Sequence, residues 1–178
     1  DKHMVNAILV HSMQKDTQKS MNVKATDYPN DYIQTIGGGI VNSGNSQTDQ
    51  YSLASFLARV QYSYKSKYMF SAAIRADGSS RFGKNNRWGA FWSIGTMWNL
   101  RNEDFMAHTR NWLTFAQVAL STGTSGNSEI PNYEHLALVA GGLDYIGNSG
   151  MAPAQPGNPD LTWESTWTTN LAFHFGFW

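Results

Sequence analysis

The feature that most constrains this chain is a long alternation near its end. From Leu161 to Phe177 the odd positions read Leu161, Trp163, Ser165, Trp167, Thr169, Leu171, Phe173, Phe175 and Phe177, and seven of these nine are large and apolar. The even positions, Thr162, Glu164, Thr166, Thr168, Asn170, Ala172, His174 and Gly176, include no large hydrophobe. Side chains of an extended chain point alternately to opposite faces, so this pattern predicts one long strand with an oily face and a polar or small face.

The same test finds further strands. Trp88 to Leu100 puts Trp88, Ala90, Trp92, Ile94, Thr96, Trp98 and Leu100 on one face, against Gly89, Phe91, Ser93, Gly95, Met97 and Asn99. Residues 54 to 76 predict a hairpin. Ala54, Phe56, Ala58, Val60, Tyr62 and Tyr64 share a face, Lys65-Ser66-Lys67 turns the chain, and Tyr68, Phe70, Ala72, Ile74 and Ala76 continue that face. A softer alternation over Phe115 to Thr122 sets Ala116, Val118 and Leu120 against Gln117, Ala119 and Ser121. His3 to about Thr26 predicts another strand, but Val5, Ala7 and Leu9 alternate with Asn6, Ile8 and Val10, so its facing is not readable.

In water, such faces would need a second layer to cover them. Here tryptophans and tyrosines bracket an aliphatic, small-residue middle, which also matches the aromatic girdles of a membrane barrel. The connections alternate in length as well. Long polar loops are expected over about 27–50 and 123–160, a three-residue turn at 65–67, a loop over 78–87 and a shorter link over 101–111. Short turns at one end and long loops at the other are the asymmetry of an up-and-down barrel, with the long loops extracellular. Six alternating strands fall short of the eight in the smallest membrane barrel and would leave edges unpaired in hydrocarbon. The fold class expected is therefore all-β: an antiparallel, up-and-down transmembrane β-barrel segment, with residues 1–178 forming part of one barrel domain.

Composition narrows the chemistry. Thirteen basic and thirteen acidic side chains leave no net charge and no basic patch for a nucleic-acid partner. No stretch is long and apolar enough for a membrane helix. The chain has no cysteine, which removes disulfides, zinc ribbons and thiol nucleophiles. His3, His11, His108, His135 and His174 form no i, i+4 metal pair, and on a strand His3 and His11 would lie roughly 26 Å apart. Gly37-Gly38-Gly39 lacks the Lys-Ser/Thr of a phosphate loop, and there is no Gly-x-Ser-x-Gly elbow. Neither a catalytic residue, a metal nor a cofactor is expected.

The polar parities would line a wet interior with Arg59, Gln61, Arg75, Asp77, Asn99, Gln117, Glu164, Asn170 and His174. The candidate solute contacts are Arg75, Asp77 and Arg81 from the wall and its rim, and Tyr133 and Tyr145 from the long loop, where tyrosines could stack on sugar rings.

Four ordered stretches carry a family resemblance. They are Pro29-Asn30-Asp31-Tyr32-Ile33-Gln34-Thr35-Ile36; Ile74-Arg75-Ala76-Asp77-Gly78-Ser79-Ser80-Arg81-Phe82-Gly83 with Asn85-Asn86-Arg87-Trp88-Gly89; Gly123-Thr124-Ser125-Gly126-Asn127-Ser128; and Met151-Ala152-Pro153 with Gly157-Asn158-Pro159-Asp160-Leu161-Thr162-Trp163-Glu164. Together they resemble the SusC/RagA family of TonB-dependent outer-membrane transporters of Bacteroidetes. The chain departs from that pattern before Gly123: Ala119 and Thr122 stand where the family usually has Arg and Tyr.

The resemblance implies a 22-stranded barrel in the cell outer membrane of a Gram-negative bacterium, with a plug and a TonB box that have no counterpart here. The 178 residues are thus expected to be an internal piece of the barrel. It further implies a SusD-like surface lipoprotein as lid, TonB as the energy-coupling partner, surrounding outer-membrane lipid, and an oligosaccharide or, second, an oligopeptide as cargo. The rival expectations are a secreted soluble β-sandwich that binds glycans and a surface glycoside hydrolase. A sandwich would pack the tryptophan-rich faces of 88–100 and 161–177 on each other; a hydrolase would need two carboxyl groups in one cleft.

Overall fold

Each alternating segment forms a strand in the computed structural model, which describes residues 2–178 apart from the side chain of Tyr145. The strands are β1 (His3–Thr26), β2 (Ile40–Tyr64), β3 (Tyr68–Ser79), β4 (Trp88–Asn99), β5 (Leu113–Asn127), β6 (Leu138–Tyr145), β7 (Asn148–Gln155) and β8 (Glu164–Phe177). Six of them form one sheet in the order β1-β2-β3-β4-β5-β8, and β6 and β7 form a separate hairpin. Every pairing is antiparallel.

Three boundaries differ from the sequence expectation. The loop expected over 27–50 is shorter, because β2 begins at Ile40 and its polar residues pair with β1, Asp49 opposite Gln18 and Asn45 opposite Asn22. A Ser/Asn/Gln-rich ribbon with both faces in water shows no hydrophobic alternation, yet it pairs with β1 throughout except at one bulge, where Asn42 is skipped. The loop expected over 123–160 is interrupted, since β5 continues to Asn127 and β6–β7 folds within it. Ile146 and Gly147 turn that hairpin with φ of 52° and 78°, the left-handed pair that a two-residue turn of matching twist requires. The last strand starts at Glu164 rather than Leu161, because the Leu161 N–H donates to the Asn158 carbonyl at 3.2 Å and holds the chain in a turn.

Register then fixes every facing. Ala7 pairs with Val60, Val60 with Ala72, Ala72 with Ile94, Ile94 with Thr122 and Thr122 with Thr169, one row across all six strands. The facing of β1 follows: Val5, Ala7, Leu9 and Met13 join the apolar outer face, and Leu9 is 85% exposed there. Three polar side chains on this face are linked to one another. Trp167 Nε1 donates to Thr122 Oγ1 at 2.8 Å, and the Thr122 and Thr169 hydroxyls are 2.8 Å apart.

Among the described residues nothing covers the outer face. The accessible surface is 13192 Å², against roughly 8,700 Å² for a compact protein of 19.9 kDa. Among the described residues the buried hydrophobes are Phe82, Phe91, Leu113 and Ala116. Trp92 and Trp167 meet edge-on at 6.3 Å as neighbours on one face of one sheet, where a sandwich would have opposed them across two layers. Trp88 and Trp98 stand ten positions apart on β4 and both face outward. At the usual rise and barrel tilt their separation spans about 26 Å of height, close to the apolar band of an outer-membrane barrel.

The short-turn end is pinned by one carboxylate. Glu103, in the link between β4 and β5, accepts hydrogen bonds from Tyr68 Oη at 2.6 Å, Trp98 Nε1 at 3.0 Å and Lys67 Nζ at 3.0 Å. It ties the hairpin turn to the aromatic girdle formed by Tyr64, Tyr68 and Trp98. The hydroxyl of Tyr68, the indole N–H of Trp98 and the Lys67 ammonium together hold its carboxyl below the ordinary 4.5, at about 2.

Two outcomes follow. In the full-length protein, Ile94→Arg is expected to cost about 2–4 kcal/mol in folding titrations into lipid vesicles, whereas Ser93→Arg on the opposite face is tolerated. Because the Glu103 value is depressed on folding, its stabilisation is complete above about pH 4.5 and disappears as pH falls toward about 2. Denaturant midpoints measured across that window should fall less steeply for Glu103→Gln than for the parent protein.

Candidate functional site

The inner face of the sheet carries polar side chains from β2 to β8. Arg59 and Gln61 on β2, Arg75 and Asp77 on β3, Asn99 on β4, Gln117 on β5, and Asn170 and His174 on β8 share it by register. Toward the long-loop end it deepens into a recess of about 380 Å³ lined by Ser55, Arg75, Asp77, Phe91, Ser93 and Trp163 among others. Arg75 and Asp77 are two apart on one strand and therefore meet: Arg75 Nε lies 2.8 and 2.7 Å from the two carboxylate oxygens of Asp77. Arg75 also donates to Ser55 Oγ at 3.3 Å, and its side chain remains 53% exposed. With one partner in solvent, the pair adds little stability. Its guanidinium edge instead offers fixed donors to a polar solute, beside the hydroxyls of Ser55 and Ser93.

Above the recess, three of the four stretches that carry the family resemblance converge. Phe82, at 1% exposure, lies 4.7 Å from the Trp163 ring, and Phe91 meets the same ring at 5.5 Å. Trp163 Nε1 donates to the Arg87 carbonyl at 3.0 Å, and the Gly83 N–H donates to the Leu161 carbonyl at 3.0 Å. Parity alone assigns Trp163 to the outer face; the turn before β8 carries it to the inner side instead. The glycines explain the closeness of these contacts. A Cβ on Gly83 would land on the Pro159 carbonyl, and a Cβ on Gly126 would enter the Phe91 ring.

Arg81 lies beside this cluster and is engaged by the protein itself. Its guanidinium sits 4.0 Å over the Tyr51 ring, Nε donates to Asn132 Oδ1 at 2.9 Å, and Nη1 donates to the Ser128 carbonyl at 3.0 Å. Tyr133 accepts the Gln50 N–H at 2.9 Å, so its hydroxyl caps a β2 amide beyond the β2–β3 ladder. Arg81 and Tyr133 thus fasten the long loop to the rim. Arg75 and Asp77 lie together in the recess, apart from that fastening. The side chain of Tyr145 lies outside the described residues. The aromatic trio of Phe82, Phe91 and Trp163 escapes a reading by alternation. The glycines at 83, 89 and 126 are the sequence signal that rings approach there.

The chain matches, over residues 11–178, the family described as TonB dependent receptor-like, beta-barrel. It is 37% identical over 169 residues to TonB-dependent receptor P39 of Formosa agariphila, covering 93% of this chain and 16% of that protein. To TonB-dependent receptor SusC of Bacteroides thetaiotaomicron it is 34% identical over 133 residues, covering 71% of this chain and 13% of SusC. The solved structure of the RagAB peptide transporter superposes on 99% of this chain and 20% of its own, with a TM-score of 0.89 at 30% identity. The closed-closed state of the RagAB peptide importer gives 0.88 at 29%, again over 20% of that chain. The chain therefore spans about an eighth to a fifth of the proteins it matches.

The motif cluster makes a direct prediction. Gly83→Ala should destabilise the full-length barrel by about 1–3 kcal/mol, because the obstacle is backbone that cannot rotate aside. Gly37→Ala, where a Cβ would meet nothing within 4 Å, should stay within about 0.5 kcal/mol of the parent in the same titration.

Proposed function

The chain belongs to the TonB-dependent receptor-like β-barrel family, and from that premise we propose that residues 1–178 are part of one transmembrane barrel domain of an outer-membrane importer. The observation that carries the proposal is the single-layer sheet, apolar on its open outer face and polar on its inner face. The complete barrel has 22 strands and surrounds a plug. TonB, energised from the inner membrane, pulls on that plug, while a SusD-like lipoprotein captures cargo above the long loops. The family is one of receptors and transporters rather than of enzymes.

The cargo is an oligosaccharide, with an oligopeptide as the second choice. Hydroxyls and an aromatic ring beside Arg75 and Asp77 suit a sugar chain's many donors and acceptors. The likeness to the RagAB peptide transporter favours the second choice. Arg75 and Asp77 contact the solute from the wall, and Arg81 and Tyr133 hold the long loop that lies above it.

Uptake by cells producing the full-length receptor tests this reading. With surface levels matched, Arg75→Ala should lower uptake of the preferred oligomer about tenfold, the loss of one charge-assisted hydrogen bond. Unchanged uptake in both Arg75→Ala and Asp77→Ala would remove the recess from the solute path. Co-purification of the receptor with a surface lipoprotein is expected, and its absence from gently solubilised membranes would count against the lid.

A further inference from the structure

The outer face carries a groove, just beyond the girdle at the long-loop end, that transport does not use. Its floor is one ladder row in which Met13 pairs with Ala54, Ala54 with Gly78 and Gly78 with Trp88. The Trp88 indole lies flat over Gly78, where a Cβ would come within 2.9 to 3.0 Å of the ring. One row farther toward the loops the chemistry changes. Lys15 pairs with Ser52, whose N–H donates to Ser80 Oγ at 2.8 Å, and Arg87 borders the same groove. The whole depression measures about 550 Å³, within the range of small-molecule sites.

Lys15 and Arg87 are both exposed, and among the described residues neither has a carboxylate within 4.0 Å. Asp16, the adjacent acid on β1, lies on the opposite parity, opposite Tyr51. Two uncompensated cations thus stand directly above an apolar row, at the height where Trp88 marks the membrane interface. Aliphatic and aromatic surface toward the hydrocarbon, with positive charge toward water, is the order of polarity of an anionic lipid in reverse charge. A free phosphate would use the cations and leave the apolar row idle.

We propose that this groove binds a phosphate-bearing lipid of the outer leaflet. Its phosphate sits between Lys15 and Arg87, and the start of an acyl chain lies along Met13, Ala54 and Trp88. The proposal rests on the membrane-wall reading of the outer face, and the test separates the two.

Full-length receptor is reconstituted in phosphatidylcholine vesicles doped with lipid A or with dephosphorylated lipid A. It is then released and examined by native mass spectrometry for retained lipid. Two interfacial cations predict about ten- to thirtyfold preferential retention of the phosphorylated form. That preference should vanish in the Lys15→Gln, Arg87→Gln double variant and survive in Lys15→Arg, Arg87→Lys. Inorganic phosphate alone should not displace the lipid. Equal retention in the parent and the Gln variant would overturn the site, as would displacement by inorganic phosphate. Retention of lipid without a phosphate preference sinks the headgroup site alone. Failure to enter the vesicles at all sinks the membrane wall with it.

Discussion

Hydrocarbon offers no hydrogen-bond partners, and that constraint organises the whole molecule. A chain that crosses it as strands must satisfy every amide from a neighbouring strand and must present apolar side chains outward at every second residue. The six-stranded sheet meets both requirements along its interior. β1 and β8 are its edges, each with one side of its backbone free of strand partners among the described residues. The outer edges of such a wall are places where a larger barrel continues. The outer face shows the same economy in its polar atoms, with Trp167, Thr122 and Thr169 linked to one another rather than left to lipid.

The two ends of the wall are built by different means. At the short-turn end a single carboxylate, Glu103, gathers a phenol, an indole and an ammonium, so the link is held by directed hydrogen bonds. At the long-loop end the organising element is apolar. Phe82 and Phe91, both buried, pack on the half-buried Trp163, and glycines admit the rings by removing side chains from the contact points. Arg81 and Tyr133 then clamp the long connection to β2. Together these contacts hold the loops in place above the polar recess.

Much of this was legible because one face meets oil. Phe56, Ile74, Trp92 and Phe173 declare their facing by alternation, and the registers place all four on the outer side. Legibility stops where both faces are wet. Residues 40–50 of β2 read as loop because Ser43, Asn45, Gln47 and Asp49 carry no apolar rhythm, although all four pair with β1. The facing of β1 was ambiguous for the opposite reason, since Ile8 and Val10 are apolar on the inner parity and only pairing with β2 resolves it. Trp163 misleads because the Asn158 turn breaks the strand just before it. Of the candidate contacts, Arg75 and Asp77 could be placed together from their spacing. The engagement of Arg81 with Asn132 and Ser128 lies across a long loop that no local pattern encodes.

The account stands on alternate residues of one strand meeting lipid and water in turn. Single cysteines placed along residues 88–99 of the full-length protein, spin-labelled and reconstituted in vesicles, would report this directly, since this stretch has no native cysteine to interfere. Collision with oxygen, which concentrates in hydrocarbon, should peak at positions 88, 90, 92, 94, 96 and 98, and collision with a water-soluble nickel chelate at the positions between them. Equal accessibility to both reagents along the strand, or protection of the even positions from both, would mean that the tryptophan face is covered by protein and that the wall is not a membrane wall.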